Sequence, residues 1–165
     1  ILTLLPVYCL QQGFTAEIAL AMVSTVVVGD ALLQLPIGAL ADYLPRRTLF
    51  LSCALLLLAS SLAIPLLMHT LLIWPLWVLF GASAGGLFTL SLILIGERYR
   101  DDALVRANAH IAQLWGIGCL IGPLVAGAGS QWISGHALPL LMSAGALGLV
   151  VLLLRQGAFG AAQPA

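Results

Sequence analysis

The chain contains no lysine, and its charged residues, six arginines and six acids, make up only 7% of its 165 residues. A soluble domain of this size carries a charged shell of about a quarter of its residues. The shortage of charge therefore argues against water as the main solvent. It also excludes nucleic acid as a partner, because there is no basic face to neutralise phosphates. Cysteine is scarce as well: Cys9, Cys53 and Cys119 stand far apart in apolar surroundings, without the close spacing of a metal site or redox pair. They read as small buried hydrophobes, and neither a metal nor a cofactor is implied. No basic region precedes the apolar opening ILTLLPVYCL, so this stretch is no signal peptide. The expectation is a first helix whose beginning lies upstream.

What is present is hydrophobic: 62% of the residues are apolar and the mean hydropathy is +1.13. A bilayer core takes about 20 apolar residues per helix, and six segments meet or approach that length. They run from about 1 to 10, which is too short to span alone, then 18 to 41, 48 to 67, 71 to 95, 107 to 129 and 138 to 154. Internal glycine and proline do not oppose helix here, since both are frequent in membrane helices. The expected fold is all-α and polytopic, a six-helix transmembrane domain over residues 1–155 in contact with the lipid bilayer. A small, polar tail over 156–165 is expected to be disordered.

The arginines orient it. Arg46 and Arg47 fall between the second and third segments, Arg98, Arg100 and Arg106 between the fourth and fifth, and Arg155 after the sixth. With alternating spans these regions share one face, while the opposite loops, QQGFTAE, MHT and SQWISGHA, hold no arginine. Retention of basic residues on the cytoplasmic side then puts both ends of the unit in the cytoplasm and the protein in the cytoplasmic (inner) membrane.

Three groups of residues carry functional expectations. Asp30 lies midway along the second segment, 12 residues or about 18 Å from Asp42, where an acid costs about 2.5–3.5 kcal/mol to insert. Such an acid faces the bundle interior or a wet cavity and marks substrate or ion pathways. A carboxylate out of water favours its protonated form, which makes Asp30 a candidate proton site, with Gln34 one turn on sharing its face. On the fifth segment Arg106, His110 and Gln113 form one polar stripe at i, i+4 and i+7; His110 and Gln113 are candidate lining residues of the same substrate or proton pathway. Glu17, just after Thr15, serves the start of the second helix. Trp74, Trp77 and Trp132 read as interfacial belt residues, whereas Trp115 lies deeper.

The stretch GALADYLPRR places Gly38, Asp42, Arg46 and Arg47 in the order glycine, three residues, aspartate, three residues, two basic residues. This resembles the signature loop between the second and third helices of each six-helix half in the major facilitator superfamily, with Tyr43 and Pro45 where that pattern carries a basic residue and a glycine. The resemblance implies two inverted three-helix repeats, a small-molecule substrate bound between two halves near the midplane, alternating access without covalent chemistry, and a missing six-helix half as partner. It also implies a cytoplasmic gate, in which Asp42 with Arg46 or Arg47, together with Glu97 and Arg106, stabilises the outward-facing state; Gly38 admits a neighbouring helix.

GCLIGPLVAG aligns Gly118, Gly122, Pro123 and Gly127 at helical spacing. It reads as a small-residue packing face and is also similar to the GxxxGP element of superfamily exchangers on the fifth helix of their first half. The fourth segment lacks the membrane-embedded arginine of that half, however. LPVYCLQQG followed by PIGALAD resembles the seventh and eighth helices of drug and sugar transporters. The chain is therefore expected to supply helices seven to twelve.

Two rival classes are worth stating. GASAG, with Ser83 between Gly81 and Gly85, is similar to the serine element of rhomboid proteases, but the sixth segment has no histidine to activate a serine. Gly81 and Gly85 are then a close-packing pair. A non-transporting scaffold or receptor relative shares the fold, although a purely structural bundle has little use for a mid-membrane acid.

Overall fold

A computed structural model describes residues 3–132 and 137–160. Every regular element among them is helical: α1 (Leu5–Gln11), α2 (Ala16–Tyr43), α3 (Arg46–Leu67), α4 (Ile73–Arg98), α5 (Asp101–Trp132) and α6 (Ala137–Gly160). Four of these helices, α2, α3, α4 and α6, are long and apolar enough to cross a membrane. Helix α2 begins before its apolar run, closed by a capping residue, and α4 runs on to Arg98. Thr15 caps α2 by accepting the Ile18 N–H at 3.5 Å, with Glu17 in the first turn. Helix α6 continues to Gly160, past the Arg155 boundary read from the sequence.

The α2–α3 connection is only Leu44 and Pro45. Proline cannot continue α2, and it forces the residue before it out of helical geometry; Leu44 is extended at φ −112°, ψ 151°. With φ at −56°, Pro45 then serves as the N-cap of α3. Arg46 and Arg47 are thus the first turn of α3 rather than loop residues. The α1–α2 turn uses Gly13 at φ +86°, a conformation glycine adopts without steric cost.

Helices α2 and α4 share the largest interface, α3 packs against both α4 and α6, and α5 touches α4 and α6 only lightly. In lipid, apolar side chains gain little by leaving the solvent, so close backbone approach must supply much of the association. The α2–α4 seam has that form. A Cβ on Gly29 would overlap the Val78 backbone, one on Gly81 the Val26 backbone, and one on Gly85 the Asp30 carboxylate. The outward faces are apolar, with Leu35 82%, Leu66 81% and Leu71 86% exposed, as a lipid-facing surface requires.

Buried side chains gather in two clusters. One includes Leu5, Tyr8, Cys9, Met22, Val26, Ile64, Trp77 and Phe80; the other joins Ala41, Leu49, Cys53 and Leu90, with Ile37 packed on it. Trp77, expected at the membrane interface, is instead 1% exposed, edge-on to Phe80 at 5.9 Å, and its indole N–H has no hydrogen-bond partner among the described residues. The sequence places it one turn into a helix, but it belongs to the buried cluster that also holds residues of α1, α2 and α3. Cys9 and Cys53 are buried as expected, whereas Cys119 is exposed on α5. The Trp132 side chain lies outside the described residues, as does the end of the expected tail, 161–165. Hydroxyls are silenced locally: Ser60, Ser61, Ser83, Ser91 and Ser143 each donate to a carbonyl one turn back, which satisfies them without water.

Candidate functional site

Two polar assemblies stand out against this apolar background. The first lies between the two apolar clusters, halfway along α2. Asp30 is half-buried, and Gln34 Nε2 donates to its Oδ1 at 2.9 Å. The i, i+4 spacing alone brings these side chains together, but what fixes the carboxylate is on α4. Gly85 presents bare backbone to it, and a Cβ there would also stand 3.2 Å from Gln34 Nε2. Gly29 and Gly81, which let α4 come this close, are one residue before Asp30 and one turn before Gly85. Among the described residues no cation pairs with Asp30. Pro36, two residues beyond Gln34, sits inside α2 and leaves the Leu32 carbonyl without its helical donor.

The second assembly closes the C-terminal end of α2. Arg46 donates to the Ala41 carbonyl and forms an ion pair with Glu97. Ala41 belongs to the last turn of α2, whose carbonyls have no intrahelical donors, and Glu97 to the last turn of α4. One guanidinium therefore ties the C-terminal ends of α2 and α4 to the N-terminal end of α3. Its fork geometry allows this double engagement, which a lysine would not match. Asp42 does not join: it is exposed, as is Arg47, and neither makes an ion pair among the described residues. The sequence puts Glu97 in the same charged group but gives Arg46 or Arg47 to Asp42; Glu97, 51 positions from Arg46, takes the guanidinium instead. A Cβ on Gly38 would meet nothing within 4 Å.

The stripe on α5 is exposed. His110 Nδ1 lies 3.3 Å from Gln113 Oε1, and Arg106 makes no ion pair among the described residues. Within those residues no hydrogen bond links this stripe to Asp30 or Gln34. The faces of Gly118, Gly122 and Gly127 are open, since a Cβ added at any of them would meet nothing within 4 Å, and Pro123 sits inside the same helix. Trp115 is 61% exposed and meets Phe88 of α4, ring centroids 5.1 Å apart. Sequence reasoning passed over Phe88 and Gly29; their signal was the i, i+3 and i−1 relation to Gly85 and Asp30. Ser83, the serine of the protease-like element, is 3% exposed and gives its hydroxyl to Leu79.

Long apolar helices with lipid-type outer faces, joined by glycine seams around one isolated acid, define a multi-pass membrane protein. The family model described as Major Facilitator Superfamily matches residues 1–164, and the chain belongs to that family. Among curated relatives, an efflux pump, dotC, of Dothistroma septosporum is 31% identical over 91 residues, covering 55% of this chain and 16% of the relative. An MFS-type transporter of Aspergillus terreus is 26% identical over 99 residues, covering 60% of this chain and 18% of the relative. The matched stretch is thus less than a fifth of either relative's length. No solved structure matches.

Proposed function

We propose that this chain is one half of a secondary active transporter that moves a small molecule by alternating access. In this reading a second six-helix half completes it, the six helices form two inverted three-helix repeats, and both ends of the unit face the cytoplasm across the inner membrane. The assignment to helices seven to twelve rests on the sequence resemblance, and transport itself is supported by the family and by relatives named as pumps and transporters.

The observation that carries the reading is Asp30, a carboxylate held halfway along a membrane helix with Gln34 as its donor and no cation beside it among the described residues. Such a group is costly to keep unless it serves a pathway for substrate or protons. His110 and Gln113, on the exposed face of α5, complete the lining in this proposal. The Arg46–Glu97 pair, with Asp42, Arg47 and Arg106, forms the cytoplasmic gate, and Gly38 is the approach point for a helix of the other half.

Proton-driven transport by the full-length protein in proteoliposomes is expected to fall at least about tenfold in Asp30→Asn, which keeps the hydrogen-bonding shape but cannot cycle a proton. An unchanged rate would remove Asp30 from the pathway. Topology has its own check. In a cysteine-free background, cysteines at Arg47 and Arg155 should react with an impermeant maleimide from the cytoplasmic side, and one at Thr70 from the other side. Opposite labelling of the first two would end the six-span reading.

A further inference from the structure

At the end of the bundle opposite Arg46, two turns meet through their rings. Phe14 of the α1–α2 turn stacks on His69 of the α3–α4 turn, with ring centroids 5.2 Å apart and planes inclined by 15°. Each turn is fixed by its own hydrogen bonds. Gly13 at φ +86° lets the Phe14 N–H reach back to the Cys9 carbonyl at 3.1 Å, and Thr15 caps α2 directly after it. In the other turn the Thr70 N–H and hydroxyl both donate to the Leu67 carbonyl, at 2.9 and 2.8 Å. The two rings are therefore carried by constrained backbone on both sides.

The stack has a dry side and a wet side. Phe14 is half-buried and packs on the core cluster that holds Leu5, Tyr8, Cys9 and Trp77, whereas His69 is exposed. The histidine can exchange protons with water while lying against a π-face anchored in the core. Imidazole is the side chain that ordinarily changes charge between about pH 5 and 8, and a cation within about 6 Å of an aromatic centroid is drawn to the ring. A neutral imidazole keeps only the ordinary attraction between stacked rings.

Few other charges stand near. Helix α2 brings Glu17, exposed and three residues after Phe14, and no ion pair joins it to His69 among the described residues. Helix α1 brings Tyr8 and Cys9, both buried. The adjoining ends of α3, α4 and α6 carry no ionisable side chain over residues 58–68, 71–84 and 137–147, and His136 lies outside the described residues.

We propose that Phe14 and His69 form a proton-operated clasp, which holds the α1–α2 turn to the α3–α4 turn more firmly when His69 is protonated. The inference goes beyond the transport reading and uses neither Asp30 nor the Arg46 gate. Its consequence reaches α1, a helix of only 7 residues whose Leu5, Tyr8 and Cys9 are buried in the same cluster as Trp77: the clasp keeps it seated. A proton held more tightly by the clasped form stabilises that form in acid, and the gain fades as rising pH neutralises the imidazole. In the orientation proposed above this end faces away from the cytoplasm, so the clasp answers to acidity outside.

Cys9 reports on the clasp, because its buried thiol meets a reagent only when α1 lifts locally. In the full-length protein in detergent, with every other cysteine replaced by serine, labelling by 4,4′-dithiodipyridine is followed at about pH 5.5 and about pH 8. Each variant, first shown to be monodisperse by size exclusion, is compared with wild type at the same pH, which cancels the pH dependence of the thiol reaction itself. The ratio of the His69→Gln rate to the wild-type rate should be at least about threefold larger in acid than in base. Phe14→Leu should likewise lose the acid-dependent protection, His69→Arg should stay protected at both pH values, and Glu17→Gln should keep the wild-type pattern. The drop in melting temperature caused by His69→Gln should widen in acid in parallel, which reads the clasp without Cys9. A ratio and a melting difference that do not change with pH, or His69→Arg labelling as fast as His69→Gln in acid, overturn the proposal. So does acid protection that survives Phe14→Leu and vanishes in Glu17→Gln, because the carboxylate rather than the ring would then hold the proton's charge.

Discussion

Gly81→Leu is expected to separate α2 from α4 and to cost at least about 3 kcal/mol, because a side chain at this position meets backbone that no rotamer change can move. A Cβ alone would overlap the Val26 carbonyl and come within 3.0 Å of the Asp30 backbone nitrogen. Gly29→Leu should behave alike from the other side, since its obstacle is the Val78 backbone. Gly148→Leu on α6 is the control, as nothing lies within 4 Å of its Cβ position. Thermal unfolding in detergent, followed by tryptophan fluorescence, reads the difference, and Trp77 in the nearby core is a natural reporter. If Gly81→Leu and Gly148→Leu melted together, backbone approach would not be what holds α2 to α4.

Reversing the charge at Arg46 is the second large effect, and it should appear in transport more than in melting. The side chains of Arg46 and Glu97 are 28% and 50% exposed, and pairs this wet contribute only about 0–1 kcal/mol to stability. Arg46→Glu nevertheless sets two acids against each other where three helix ends meet, so the gate proposed there would lose its tie. Transport in proteoliposomes should drop about tenfold, with maleimide access to the seam from the Arg46 side rising in parallel. The exchange Arg46→Glu with Glu97→Arg should recover part of the rate. Full recovery is not expected, because glutamate at 46 has no proton donor for the Ala41 carbonyl that Arg46 now serves. If the double variant were no better than the single one, the ion pair would not be the tie. Asp42→Asn should be the milder change, since Asp42 makes no ion pair within the described residues.

The contrast between Asp42 and Glu97 shows where sequence reading stops. The apolar runs located α2, α3 and α4 to within a few residues, because in a membrane the length of a greasy stretch and the charges that end it are local properties. Pro45 sets the α2–α3 boundary by an equally local effect, since its restriction of φ acts on its own residue and the one before. Asp30 and Gln34 could be paired from their i, i+4 spacing. That Arg46 turns to Glu97 was not readable, because sequence spacing does not say which helix ends lie side by side. On similar grounds Trp77 is not the interfacial residue expected, since it is buried in a cluster assembled from several helices.

The solvent, the helices and the single acid set among apolar residues were all legible in the order of amino acids, since each follows from transfer energies and backbone preferences that act within a few residues. It took the packed bundle to reveal that Gly29, Gly81 and Gly85 bring α4 onto α2, that the acid rests on Gly85, and that one arginine ties three helix ends. Those outcomes depend on how rigid helices cross, and crossing is settled by backbones meeting at distant positions that no local pattern names.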